Sequence, residues 1–339
     1  MTIDTAGPVL YRPARDELAY TFGGRMPVGH LRSGEVLEVF TEDCFGGRVC
    51  GPGDLPSQVC QMPYLNPVSG PFFIEDAEPG DTLAVHILSI TPAREWGVSS
   101  TFPHFGALTS TSHTATLQPA LEERVWLYGI DRDAGTVRFQ ATGSGHQVDL
   151  PLEPMIGTIG VAPAGFEARS TIVPDSHGGN LDTPLVRAGS TVYLGVNVHG
   201  AMLALGDGHA RQGDGEACGV GIEIATVTTL TVEVIKKTPT VWPRLETDTG
   251  IASIGCARPL EDAYRIAHTD LVGWIAELTG MDTLDAYQLV SQAGRAPIGN
   301  VCDPNYTVAA MVDTALLPGP SPAYGGVHTR LRQRAAGPR

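Results

Sequence analysis

The densest run of side chains able to do chemistry in this 339-residue chain lies between His199 and Glu223. Asp207 and His209 are two apart, so in an extended segment they point to one side. Asp214 and Glu216 repeat the relation. Gly206, Gly208, Gly213 and Gly215 lie among them, and glycine lets a backbone turn sharply and approach a ligand. These three carboxylates and one imidazole suit a Zn²⁺ or similar N/O site. They suit general acid–base work equally. Asp-Gly pairs are also ordinary turn formers, so a solvated loop is the competing reading.

Three further clusters carry polar chemistry. Asp175-Ser176-His177-Gly178-Gly179-Asn180-Leu181-Asp182 offers an imidazole in an irregular stretch, or simply a turn with Asn180 left-handed. Glu42-Asp43-Cys44 offers a hard oxygen ligand in Asp43 and a thiol in Cys44. A lone cysteine with no partner base is more often buried than nucleophilic. Glu75 follows the apolar run Phe72-Phe73-Ile74. Directed inward from a strand end, it would have a raised pKa and serve as acid or base. No GxSxG elbow, P-loop or HExxH motif occurs.

The elements that must position these groups read mostly as strands. Glu35 to Phe40, Asp81 to Ile90, Thr136 to Phe139, Thr191 to Val198 and Thr226 to Ile235 alternate or are rich in β-branched residues. Asp131-Arg132-Asp133-Ala134-Gly135 reads as a hairpin turn. After Cys256 the period changes. A helix begins at Pro259 and ends at Gly280, and a second, capped by Asp282 or Thr283, ends at Gly294. Val308 to Leu317 reads as one more strand. The expected organisation is an N-terminal arm over 1–17 and a β-rich catalytic body over 18–317 with a helical segment over 259–294. A flexible basic tail over 318–339 follows.

Composition sets the outer limits. Gly 41 and Pro 26 are too many for a long coiled coil, and 42% apolar residues are too many for disorder. A net charge of −15 argues against a nucleic-acid surface. No run approaches a membrane span, and the N-terminus lacks a basic then apolar leader pattern, so a cytoplasmic protein is expected. Six cysteines without a CxxC pair argue for free thiols.

Eight segments, in order, resemble the acetamidase/formamidase family. They are Thr41-Glu42-Asp43-Cys44-Phe45, Asn66 to Pro71, Glu75 to Asp81, Pro154 to Pro163, His177 to Thr183, Gly200 to His209 continuing through Gly213-Asp214-Gly215-Glu216 to Glu223, Asp285 to Gly294, and Val301-Cys302-Asp303-Pro304. The resemblance covers about 18 to 316. It implies a mainly β (α+β) fold of sandwich and barrel-like parts with a small α/β portion. It also implies a homo-oligomer, dimer or higher, and hydrolysis of short amides to carboxylate and ammonia. A divalent metal in the site is implied too, Zn foremost and a second ion such as Ca conceivable. On this reading Asp43, His177, Asp207, His209 and Asp214 are the metal-ligand pool. Glu75 and Glu216 are the acid–base candidates, and Asn180, Asp182, His104 and His199 are substrate-binding candidates. A small pocket would select short acyl groups. The chain departs from the family pattern at Asp76, His104, Asp175-Ser176 and His199, which points to a substrate other than formamide or acetamide if these line the pocket. The alternatives are a cysteine amidase using Cys44 and a non-catalytic metal- or small-molecule-binding homologue.

Overall fold

The computed structural model describes residues 8–109 and 119–335. Residues 1–7 of the expected arm and 336–339 of the expected tail lie outside these. Two large sheets pack face to face. One has nine strands in the order Val9–Tyr11, Val36–Thr41, Thr226–Ile235, Thr82–Pro92, Thr191–Gly195, Arg244–Glu246, Gly250–Ala257, Tyr306–Asp313 and Ile298–Asn300. The other has ten. Its path runs Gln147–Pro151, Thr136–Gln140, Arg124–Asp131, Trp96–Thr101, Ile222–Glu223, Leu203–Arg211, Met155–Gly160 and Gly178–Asn180. Val68–Ile74 also pairs with Leu203–Arg211, and Gly29–Leu31 pairs with Val68–Ile74. Among the described residues neither sheet closes into a barrel.

Alternation explains the sandwich. Leu37 and Val39, Val85 and Ile87, and Leu230 and Val232 turn inward from the first sheet. They meet Phe72, Ile74, Ile156, Ile159, Leu203 and Leu205 from the second in one core. The two sheets thus bury one face each against the other. The strands over Thr226–Ile235 and Thr82–Pro92 and the hairpin at 131–136 stand where the sequence puts them. The strand expected from Val308 to Leu317 runs over Tyr306–Asp313 and then tightens into a 3₁₀ turn at Thr314–Leu316.

The first two helices after Cys256 cover the outer face of the nine-stranded sheet. Leu260–Thr279 packs Ala263, Ala267, Leu271, Trp274 and Ile275 on Ile251, Val308, Ala310 and Val312, which alternate with residues of the sandwich core. Gly280 ends it at φ 72°, a left-handed cap that a β-carbon would strain. Thr283–Ala293 follows, with Asp282 accepting the Leu284 N–H.

Both ends differ from expectation. Val9–Tyr11, placed in an arm, is a strand pairing parallel with Val36–Thr41. Within the tail, Val327–Ala335 is a helix. It buries Val327 and Leu331 against Ala84 and Tyr193, pairs Arg330 with Glu233 at 2.7 Å and pairs Arg332 with Asp248. Its basic residues obscured two apolar ones at i, i+4, a single helical contact too brief to read as a period.

That helix also closes a relay running from buried His86 to exposed Asp248. His86 Nδ1 meets Thr191 Oγ1 at 2.8 Å, Thr191 Oγ1 meets His328 Nδ1 at 2.8 Å, and His328 Nε2 meets Asp248 at 3.1 Å. Burial, then the facing His328, pull the His86 pKa from 6.5 down to about 4. Unfolded, His86 takes its proton near pH 6.5, so the unfolded chain gains the proton first. Its contribution to stability is full above about 6.5 and is lost as pH falls towards 4, at up to ~1.4 kcal/mol per pH unit. Urea unfolding of wild type and His86→Gln at pH 7 and pH 5 tests this. The variant should lose less on acidification, and equal losses would contradict the assignment.

Candidate active site

The site is a row of side chains across neighbouring strands of the ten-stranded sheet. Asn180 stands opposite Thr158, and Thr158 opposite Gly206, beside Asp207. His209 stands opposite Glu223. Asp207 and His209 both belong to Leu203–Arg211, so the two-residue spacing does set them together. Loops bring in the remainder. Asp182 follows the strand Gly178–Asn180, Glu216 sits in the turn after Arg211, and Asp303 follows Ile298–Asn300.

Hydrogen bonds fix the orientation of most of these groups. Gln212 donates both amide hydrogens, to the Asp182 carbonyl at 2.5 Å and the Gly299 carbonyl at 3.0 Å. Its oxygen must therefore accept, and it meets His209 Nδ1 at 2.9 Å. His209 consequently carries a proton on Nδ1 and turns Nε2 to Glu223 at 3.0 Å and Asp207 at 3.3 Å. Asn180 donates to Asp303 at 2.7 Å and accepts from Thr158 and from Asn66, the latter at 3.0 Å. Asn66 also donates to Asp207 Oδ2 at 3.1 Å, and the one Thr158 hydroxyl hydrogen is shared between Asn180 and Asp207 Oδ2, 3.1 Å away. Glu223 accepts from the Gly221 N–H at 3.0 Å and the Cys44 N–H at 3.2 Å.

Asp182, Asp207, Glu216, Glu223 and Asp303 are all buried around one imidazole. Burial pushes Glu223 up to about 7, with Asp207 adding and His209 opposing. Burial likewise brings Asp303 to about 7. Burial and then the facing Glu216, Asp303 and Asp207 hold Asp182 well above the usual carboxylate range. Glu216 is raised by burial too, against His209. Burial opposes charging of His209, yet Glu223 and Asp207 outweigh it and lift its pKa well above normal. Asp207 alone is drawn down, because His209 and its hydrogen-bond donors overcome the burial that would raise it.

Such an excess of buried carboxylates needs cations or shared protons. Asp182, His209 and Glu216 offer ligand atoms within 4.8 Å of one another, and so do Cys44, Asp207 and Glu223. Neither Asp182 oxygen meets an N–H or O–H donor among the described residues, although Asp303 is near enough to share a proton. The donors fit a divalent cation in number and chemistry.

The sequence pattern of the acetamidase/formamidase family matches residues 26–166 and 155–317. The chain belongs to the acetamidase/formamidase family. It is 42% identical to an acetamidase of Yersinia enterocolitica, whose crystal structure superposes with a TM-score of 0.85 over 93% of this chain and 94% of that one. An acetamidase structure from Bacillus halodurans gives 33% identity and a TM-score of 0.80 over 90% and 98%. A formamidase of Methylophilus methylotrophus is 27% identical over 256 residues, 62% of this chain and 61% of that one. The chain spans about half to three fifths of the length of the curated relatives it matches.

Within this family member, five of the candidate residues converge with their partners. Asp207, His209, Glu216 and Asn180 line one cavity, and Asp182 closes on the same cluster. His104 lines the mouth of that cavity at φ 60°. The other five candidates are placed elsewhere. Glu75 is half exposed and bonded to His30 Nδ1 at 2.7 Å. Asp43 is buried, but Arg94 and the N–H groups of Phe45 and Gly47 occupy its oxygens. It shapes the loop that brings Cys44 and Phe45 to the cavity. Asp214 is exposed in the turn that carries Glu216 inward at φ 43°. The extended-chain argument fails there because the segment is a turn. His177 is buried edge-on to Phe22 with neither ring nitrogen bonded among the described residues, and the charges acting on it include Arg169, Asp175 and Glu167. His199 lies on the surface beside Glu78 at 3.0 Å.

Glu223 and Asp303 stand in matched segments without having been singled out. A usable signal was there for Glu223, a carboxylate between Ile222 and Ile224 in a strand with no polar face.

Proposed function

We propose that this protein hydrolyses the C–N bond of small amides at the buried cluster, using a divalent cation, zinc first among them. The observation that carries the reading is five buried carboxylates gathered around the single imidazole of His209, in a chain of this family. Asp182, His209 and Glu216 would hold the cation, with Asp207 and Glu223 beside it. Bound there, a divalent cation supplies a Lewis acid for the carbonyl and a water that ionises near neutral pH.

The protein's own groups do the rest. Glu223 stays close to neutrality in pKa, so it can accept a proton from the attacking water and return it to the leaving nitrogen. His209, locked by Gln212, presents Nε2 inward in a fixed orientation. Thr158 and Asn66 hold Asp207. The new C–O bond replaces the C–N bond, and the amine or ammonia departs with the transferred proton.

A second reading has one observation in its favour. The Cys44 thiol lines the cavity and is hydrogen-bonded to Glu223, which gives it the partner base the sequence lacks. Against it, burial and the charges of Glu223, Asp207 and Asp43 hold the thiol well above its ordinary pKa, which disfavours thiolate. Ammonia release separates the two. Chelation should lower it about 10²-fold or more and Zn²⁺ should restore it. Cys44→Ala should keep activity within about tenfold of wild type, whereas a thiol nucleophile predicts its loss. Full turnover in rigorously metal-free protein would overturn the cation assignment.

A further inference from the structure

We infer that the amide this site takes carries a ring-sized apolar substituent, not the one or two carbons of formamide or acetamide. This rests on the hydrolase reading above and names its substrate class. The described residues leave a cavity of about 500 Å³ over the carboxylate cluster. Acetamide has four heavy atoms, a few water volumes at ~30 Å³ each, or roughly 100 Å³. Most of the cavity would stay unfilled around it. The expectation of a small selecting pocket is therefore not met.

The chemistry of the wall says what fills the remainder. The reactive end is polar, with Asn180, Asp207, His209, Glu216, Glu223 and Asp303 reaching the cavity. The same lining also includes the apolar Phe45, Leu65, Phe102, Phe105, Ile172 and Val173. Phe102 and Phe105 already meet edge to face, their centroids 6.4 Å apart. An aromatic pair of this kind takes a further ring through edge or offset contact. Water held against such a wall finds few partners, so an apolar group displaces it favourably. One methylene in an apolar pocket is already worth roughly 10-fold or more in kcat/KM, so a ring and its linker should exceed that. The reaction is unchanged: a C–O bond forms from water, the C–N bond breaks, and the nitrogen leaves with a proton.

The test is a substrate series on the zinc-loaded wild-type protein, following both carboxylate and amine. Formamide, acetamide, hexanamide, phenylacetamide and N-benzylacetamide make up the series. Phenylacetamide places the ring on the acyl side and N-benzylacetamide on the amine side. At least one should exceed acetamide in kcat/KM by about tenfold or more. Which one does so orients the amide in the cavity. Ile172→Trp, which fills the apolar end, should shift the ratio of that substrate to acetamide downward by a similar factor. Acetamide cleaved as efficiently as both ring-bearing amides, or a ratio untouched by Ile172→Trp, overturns the inference and leaves the hydrolase reading standing. Absence of turnover with every amide removes the hydrolase reading and the inference with it.

Discussion

Glu223→Gln should lower kcat by about 10²–10⁴-fold, the range that a positioned general base contributes. The same change should leave Tm unchanged or raise it. Five buried carboxylates stand around one imidazole, and Asp207 and Asp43 both push the Glu223 pKa upward. Neutralising one member of an overcrowded set relieves repulsion. The single amide oxygen of glutamine can keep one of the Gly221 and Cys44 N–H groups, which bond to different oxygens of Glu223, and Asp207 remains as a counter-charge for His209. A merely structural carboxylate would behave in the opposite way, its loss costing stability more than rate. The pH profile adds an independent readout. A base must be unprotonated, so wild-type activity should rise with pH through about 7, where burial sets Glu223. That limb should vanish from whatever activity the glutamine variant retains. A variant with wild-type kcat and the same acid limb would remove Glu223 from the chemistry.

The strands and helices were legible because their signals are local. Val36–Thr41 and Thr226–Ile235 alternate within themselves, and Gly280 and Asp282 mark helix ends by their own backbone and side-chain preferences. The pair Asp207–His209 was legible for the same reason, since one strand sets both. What a carboxylate faces is not local. Asp43 looked like a ligand until Arg94, 51 positions on, took its Oδ2. Glu75 looked inward until His30, 45 positions back, bonded it at the surface. Glu223 and Asp303 enter the site only through strand pairing and a returning loop, and no spacing along the chain encodes that. The segments that carry the resemblance to a family include those of the cluster but also Glu75 to Asp81 and Asp285 to Gly294, which lie away from it, and the resemblance could not rank residues within them.

Gly157→Ala should be among the most damaging single-carbon changes in the molecule. Gly157 lies in the strand Met155–Gly160, between the two halves of the cluster. A β-carbon there would stand 2.5 Å from Asp182 Oδ1 and 2.5 Å from Asp207 Oδ2. Asp207 is not free to swing aside, and Asp182, whose side-chain oxygens meet no N–H or O–H donor among the described residues, can only rotate from a fixed backbone. Asn66 and Thr158 both hold Asp207 Oδ2, while the Asp182 backbone is tied by its N–H to the Gly157 carbonyl at 3.1 Å and by its own carbonyl to Gln212. The methyl must therefore push the carboxylates apart or bend the strand. Overpacking of this kind costs about 1–3 kcal/mol of stability. The larger effect is on function, because a misplacement of about 1 Å at reacting groups costs about 10²-fold in rate. Zinc affinity should fall about 10–100-fold as well, since ligand orientation is lost along with distance. Measuring kcat/KM, zinc binding by competition with a chromophoric chelator, and Tm on one preparation separates the contributions. A small fall in Tm with a large fall in both other quantities places the reactive centre between Asp182 and Asp207. Wild-type zinc binding and turnover in Gly157→Ala would show that the centre lies elsewhere in the cavity, because a β-carbon there stands 2.5 Å from the hydrogen-bonded Asp207 Oδ2.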